Sequence, residues 1–354
     1  MRDPVSALHG ATLSMTAFLT QPAQWQNNVL GAVCFSADAV ESQSTDTGIP
    51  CLRVPLQRLD AGDSICEVWC GDDQLTQGEH GAIRYRHDDG LLFGVITLSE
   101  MMFAASADKT PLQQAAESAY RQVFELLDTL RFPHLFRFWN YFPDINTHSL
   151  GLERYRQFNL GRQDAFVAHG RDGVEDLPAA CALGSTQGPL SIAFLAGRVA
   201  PLRIENPRQM SAYRYPRQYG PRSPMFSRAT LVSLGREARL FVSGTASIVG
   251  HATVHPGNVT AQIRETIANI KSVLAEANSK GIASPPGFDL ANLNYRVYVR
   301  HPADLPQIRA ELAQCVGDTF KAIYLQADVC RQELLLEIEA SAACPLTPMC
   351  GGRD

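Results

Sequence analysis

Two stretches of this chain, about 148 residues apart, run through the same order of elements, and that repetition constrains the fold more than any other feature. In the first, Leu91–Leu98 (LLFGVITL) reads as a buried strand. The segment PLQQAAESAYRQVFELLDTL follows as an amphipathic helix, opened by Thr110 and Pro111, a capping residue and a first-turn proline. Residues 134–141 (HLFRFWNY) give the next strand. In the second stretch, residues 240–250 (LFVSGTASIVG) are the strand and residues 258–278 the helix, with Ile263, Ile267, Ile270 and Val273 three or four apart. Residues 293–300 (LNYRVYVR) alternate as the following strand. So long a period excludes a solenoid of short repeats and predicts two related domains.

The second copy continues with a helix, Leu305–Val316, and two strands, residues 322–327 and 334–338. The turn residues of PDINTHS (143–149) place the boundary there, which predicts an N-terminal domain over 1–148 and a C-terminal domain over 149–343. Residues 344–354, with proline, glycine and no period, read as a frayed tail.

At 354 residues the chain is long enough for two cores, and 45% hydrophobic with 19% charged residues is a globular composition. A formal charge of -5 argues against general affinity for nucleic acid or an anionic membrane. Only Lys109, Lys271, Lys280 and Lys321 are lysines, so nearly all positive charge is arginine. No apolar run approaches the ~20 residues that span a bilayer. The opening MRDPVSALHGATLSMTAFL lacks a basic region followed by an apolar run, so no signal peptide is expected. Nine cysteines, without a CxxC pair, predict a reduced, cytoplasmic protein and no zinc site. His251 and His255 are followed at once by Pro256-Gly257, outside any HExxH, so no metal centre is expected. Glycine loops for phosphate and a GxSxG elbow are also missing.

Three segments could carry chemistry. Tyr213 to Arg228 (YRYPRQYGPRSPMFSR) is crowded with arginine, tyrosine and proline, and its prolines exclude a helix interior or a central strand. Such a stiffened loop is compatible with a basic surface patch and with a pocket wall gripping a small, multiply anionic ligand, for which guanidinium forks and phenols are suited. Gly151 to Phe166 (GLERYRQFNLGRQDAF) again mixes rings with Arg154, Arg156 and Arg162, and Gly161 would allow a sharp turn that aims Arg162 inward. The third segment, RQELLLEIEASAA (331–343), reads as a strand placing Glu333, Glu337 and Glu339 on one face and Leu334, Leu336 and Ile338 on the other. That acidic face is either solvated or part of a cleft, where desolvation would suit one carboxyl to general acid work.

Taken together, FRFWNYFPDIN, GLERYRQFNLGRQDAF, YRYPRQYGPRSPMFSRA, FVSGTASIVGH and CRQELLLEIEA, in that order, resemble the chorismatase family. The duplication and the EIEA ending also look like the reactive-intermediate deaminase (Rid/YjgF-like) superfamily. The resemblance implies an α+β fold of two related mixed β-sheet domains with helices packed on one face. It implies hydrolysis of the small molecule chorismate, without metal or cofactor, to pyruvate and a hydroxybenzoate (3-hydroxybenzoate, or a mixture including 4-hydroxybenzoate). Carried over by motif, Glu337 would be the general acid; Tyr155, Arg162, Tyr215, Arg228 and Arg222 would bind substrate; and Cys330 with Ala246 or Gly244 would steer the ring product. Two other readings remain open from the residues. One is a deaminase-type imine or enamine hydrolase, which usually pairs the strand glutamate with an arginine on the preceding strand, where this chain offers Lys321. The other is a non-enzymatic sensor of aromatic acids, which leaves Glu337 without a task.

Overall fold

The computed structural model of the protein describes residues 7–37, 48–62, 64–71, 74–106 and 108–347. Three sheets organise it. Strands β1 (His9–Leu13), β2 (Val29–Ser36), β3 (Cys51–Pro55) and β4 (Ser64–Cys70) form a four-stranded sheet in the order β1-β4-β2-β3. A six-stranded sheet follows, built from β5 (Thr76–His80), β6 (Ile83–His87), β7 (Leu91–Leu98), β8 (His134–Pro143), β9 (Ala179–Ser185) and β10 (Leu190–Gly197), with helices α1 (Pro111–Leu130) and α2 (Arg154–Ala168). The last sheet contains β11 (Leu202–Ile204), β12 (Ala229–Leu234), β13 (Glu237–Thr245), β14 (Asn294–Val299), β15 (Lys321–Gln326) and β16 (Leu336–Pro345), with α3 (Val259–Asn278) and α4 (Leu305–Val316).

The two larger sheets have one topology, β5-β6-β7-β10-β8-β9 and β11-β12-β13-β16-β14-β15. In each, the parallel pair (β8 with β9, β14 with β15) needs a crossover, which α2 and α4 supply. The duplication is therefore fuller than the sequence pattern indicates. The first copy also has a second helix and two closing strands, and that helix runs through most of the Gly151–Phe166 block, where a sharp turn was expected at Gly161. The boundary expected at 148/149 falls between β8 and α2, inside the first unit, whose sheet runs on to Gly197. Turn residues at 143–149 join two elements of one sheet, and local turn chemistry cannot distinguish such a turn from a linker. The expected tail is also corrected in part: Cys344 and Pro345 end β16 and Leu346 bridges Ala283, whereas 348–354 lie outside the described residues.

Strand alternation sorts side chains into two kinds of core. On β7, Leu92, Ile96 and Leu98 pack under α1, while Leu91, Phe93 and Val95 face the layer shared by all three sheets. On β16, Leu336, Ile338, Ala340 and Ala342 lie under α3, so Glu337, Glu339 and Ser341 point the other way, toward the first unit. Helix α1 begins as expected: the Thr110 hydroxyl accepts from the Gln113 amide at 3.2 Å and Pro111 occupies its first turn.

Two cysteines depart from the reduced state expected. Cys34 and Cys66 face each other in the antiparallel β2–β4 register, with Cα atoms 4.0 Å apart, and are joined by a disulfide. Among the described residues no helix is long and apolar enough to cross a membrane.

Gly161 does not make a turn. It sits inside α2 against the backbone of α1, where a Cβ would strike the Gln113 carbonyl oxygen and lie 2.9 Å from the Glu117 nitrogen. Gly161→Ala should gain up to about 1 kcal/mol of helix propensity but lose about 1–3 kcal/mol to overpacking, so the expected outcome is a lower urea midpoint. A raised midpoint would contradict the close α1–α2 approach.

Candidate active site

Where the two larger units meet, a cavity of about 620 Å³ opens beside the first turn of α2. Tyr155 and Arg156 of α2 form one side. The stiff loop supplies Tyr215, Tyr219, Phe226 and Arg228, and Gly244 and Ala246 at the end of β13 form the floor. Cys330 and Arg331 come from the turn before β16, and Glu337 from β16 itself. The loop carries only two short 3₁₀ turns, Ala212–Arg214 and Arg217–Tyr219, as its prolines require.

A β-bulge fixes the floor. The register between β13 and β16 shifts between Val242 and Thr245. There the Ser243 amide donates to the Arg228 carbonyl at 3.0 Å and its hydroxyl donates to the Ser227 carbonyl at 2.6 Å. The same hydroxyl accepts from the Ala180 amide of β9 at 2.9 Å, so one side chain ties loop, floor and first unit together. Beside it, a Cβ on Gly244 would collide with Glu337 Oε1 and come within 3.3 Å of Cys181 Cβ. Only glycine lets the carboxyl lie against the strand here.

Glu337 and Glu339 share a face of β16, are both 4% exposed, and differ sharply in charge. Burial works to raise the Glu339 carboxyl, but the Arg296 and Arg137 guanidiniums outweigh it and hold the group below the usual carboxylate range. Arg296 and Arg137 both ion-pair with Glu339, Tyr298 donates to it at 2.8 Å, and Arg296 also meets Glu67 of β4. Glu337 has no such partner. Burial, followed by the negative charge of Glu339, pushes its pKa from 4.5 up to about 8, against the weaker pull of Arg137 and Arg228. Two carboxyls two residues apart are thus divided into a fixed anion and a proton carrier, the separation on which acid–base sites are built. Burial likewise raises the Cys330 thiol to about 12, so it is a neutral neighbour, 4.0 Å from Glu337 Oε2.

Across the cavity from Glu337, Arg228 donates to the Tyr215 hydroxyl at 2.8 Å and the Met210 carbonyl at 2.7 Å, and its Nε has no partner among the described residues. Arg331 lies 4.0 Å from the Tyr219 ring centroid and 5.3 Å from that of Tyr215. It donates to the His251 carbonyl at 2.9 Å and the Thr253 hydroxyl at 3.1 Å, and its Nη2 has no partner among the described residues. Two guanidiniums braced by rings and carbonyls, with donors to spare, suit a ligand bearing carboxylates.

Of the residues singled out from sequence, Glu337, Tyr155, Tyr215, Arg228, Cys330, Ala246 and Gly244 line this one cavity. Arg162 is buried behind the wall, donating to Asn159 at 2.7 Å and lying 5.2 Å from the Phe158 ring centroid. Arg222 is exposed and away from the wall, because its loop turns outward between Gly220 and Pro224. Glu333 precedes β16, which starts only at Leu336, so it lines the mouth instead of sharing a strand face with Glu337. Sequence reasoning missed Arg331 and Tyr219, although both stand in the segments it selected. It also missed Arg137, Arg296 and Cys181, whose positions near the two carboxyls depend on pairing between distant strands.

The family model "Chorismatase FkbO/Hyg5-like, N-terminal" matches residues 67–196, from β4 to the end of the first unit. A 3-hydroxybenzoate synthase of Streptomyces hygroscopicus is 36% identical over 88% of this chain and 91% of its own length. A chorismatase of Streptomyces rapamycinicus is also 36% identical, over 86% and 91%. A chorismatase crystal structure superposes with a TM-score of 0.83 at 32% identity, covering 96% of this chain and 99% of its own. With that identity along nearly the whole length of both chains, and one fold throughout, the protein belongs to the chorismatase family.

Proposed function

We propose that the protein cleaves chorismate to pyruvate and a hydroxybenzoate, 3-hydroxybenzoate being the main ring product expected, with Glu337 as general acid. The observation that carries this reading is a carboxyl kept protonated in the wall of a cavity that also presents Arg228, Arg331, Tyr155 and Tyr215. Chorismate is a dicarboxylate. An ionised acid would repel it, whereas a neutral one tolerates it and can still deliver a proton.

In this mechanism Glu337 gives its proton to the methylene carbon of the enolpyruvyl ether, and positive charge develops on the ether carbon. Attack there by water leads to a hemiketal that collapses to pyruvate and a dihydroxycyclohexadiene carboxylate, consuming one water. If the neighbouring ring hydroxyl instead attacks the ring carbon that bears the ether, the bond from that carbon to the ether oxygen breaks and pyruvate leaves without water. The hydroxyl proton passes to the Glu337 carboxylate, and the resulting epoxide opens with transfer of a ring proton to the freed oxygen, which makes the ring aromatic. Arg228, Arg331, Tyr155 and Tyr215 hold the two carboxylates, and Arg162 acts one step back, through Asn159, as a positioning residue. Cys330 and Ala246, flanking the acid, steer which oxygen reacts. A net charge of -5 leaves nucleic acid out of the reading.

Mixing the protein with chorismate and following pyruvate with lactate dehydrogenase tests the activity directly. Glu337→Gln should keep the fold and lower kcat by roughly a hundredfold or more, as loss of a general acid does. Near wild-type turnover in that variant would remove Glu337 from the chemistry.

The acid works in its protonated form, so kcat/KM should decline as pH rises through about 8. Stability carries the same signature. The folded pKa lies above the ordinary 4.5, so the native state keeps a proton that the unfolded chain releases between those values. Stability from this group is full below pH 4.5 and is lost as pH climbs toward 8. Denaturation of wild type and Glu337→Gln across that window should show the wild type falling relative to the variant. Parallel curves would mean that Glu337 is ionised in the fold.

Cys330→Ala should leave pyruvate release largely intact and shift the ring product toward the dihydroxycyclohexadiene carboxylate. Chromatography reads the ratio; an unchanged hydroxybenzoate fraction at unchanged rate would return Cys330 to a packing role.

A further inference from the structure

A second cavity, of about 200 Å³, lies between all three sheets and shares no wall residue with the first. It runs along the same two strands, β13 and β16, past Glu339 toward Ser341, and is closed by β1, β4, β8 and β14. Its volume is below the roughly 300–1,000 Å³ of sites for drug-sized ligands, so it admits about one ring.

Three aromatic side chains give it an apolar side. Trp69 stands 5.9 Å from Trp139 and 5.9 Å from Phe241, centroid to centroid, and all three are in the wall. The polar side is rich in donors. Arg239 donates to the Leu8 carbonyl and pairs with Glu237 at 3.0 Å, while Arg296 reaches Glu67, Glu339, Tyr141 and Tyr298. After these bonds Arg239 Nε, Arg296 Nε and Trp69 Nε1 have no partner among the described residues, in side chains of residues 9%, 3% and 5% exposed. The wall carboxylates Glu67 and Glu339 are already engaged by arginines. Buried donors left without acceptors are costly, and a ligand that supplies the acceptor recovers part of that cost.

We propose that this second cavity binds a small aromatic monocarboxylate of the benzoate type, its ring against Trp69, Trp139 and Phe241 and its carboxylate accepting from Arg239 and Arg296. The ring product proposed above belongs to this chemical class. That link rests on the proposed activity; the site itself does not.

Benzoate serves as the probe, in equilibrium titrations that need no turnover. The wall of the first cavity contains no tryptophan, whereas Trp69 and Trp139 line the second, so indole quenching reports the second site. The expected result is saturable quenching in the wild type that persists in Arg228→Met, a change in the first cavity. Arg239→Met should weaken it about tenfold or more, the loss of one charge-assisted bond. Thr12→Phe, at an exposed rim position of β1, should block it by bulk without removing charge, which keeps the test intact if the arginine variant folds poorly. The proposal is overturned if benzoate produces no saturable quenching, if Arg228→Met abolishes it, or if Thr12→Phe leaves it unchanged. Pyruvate release from chorismate, measured on the same samples, reports separately on the first cavity.

Discussion

The buried cluster of Arg137, Glu339 and Arg296 is the interaction on which the rest of this molecule depends. It joins β8 of the first unit to β16 and β14 of the second, and Arg296 extends it to Glu67 in the N-terminal sheet. Desolvating such groups is expensive, and removing one partner from a buried pair typically costs about 3–5 kcal/mol. A cluster of this kind is a weak source of net stability but a strong determinant of register. Any slip of β16 by one residue would bury Ile338 among arginines and turn Glu339 under α3. The cluster also holds one anion beside Glu337, so the contacts that dock the sheets add, through Glu339, to the larger effect of burial in raising the proton affinity of that carboxyl.

Duplication explains how such a site can arise between units. Each six-stranded sheet covers one face with its own helices and leaves the other face for its neighbours. The shared layer is mostly apolar, from Phe93 and Trp139 on one side to Phe241 and Leu325 on the other. Charged residues enter it at the cluster, where Arg137 of β8, Arg296 of β14, Glu339 of β16 and Glu67 of β4 meet beside the second cavity. Glycine at 244 and the bulge at Ser243 are local departures from a regular sheet, and both serve the wall around Glu337.

Much of this was legible in the sequence because it is written in local patterns. The period of 148 residues, the capped helices, and the proline-stiffened loop that carries Tyr215 and Arg228 can all be read over windows of ten to twenty residues. So can the alternation that puts Glu337 and Glu339 on one face. Which face that would be, solvated or buried, was not legible, since it depends on β8 and β9 lying opposite. The helix α2 was misjudged because its residues, arginine and glutamine among aromatics, have no clear apolar stripe: it is gripped by α1 through a glycine contact instead of an amphipathic face. Arg222 and Arg228 share one loop composition, yet only Arg228 of the two lines the cavity. Within a loop, residue type gives the chemistry available and the path of the chain decides which members use it. Residue type alone does not single out Arg137 or Arg296; their meaning appears only when β8, β14 and β16 are set side by side.

Glu337 acquires its proton from its surroundings, and those surroundings come from more than one unit. In an extended chain, or in a second unit standing alone, the EIE segment would be two ordinary ionised glutamates with water around them. Arg137, Cys181 and Tyr155 all arrive from residues before 198, and the loop that seals the cavity is tied to β9 through Ser243. The raised proton affinity of Glu337 therefore exists only where the sheets are closed on each other. A molecule with its sheets apart would possess every residue of the cavity and not the raised carboxyl, so proton uptake at one side chain reports on the docking of whole sheets.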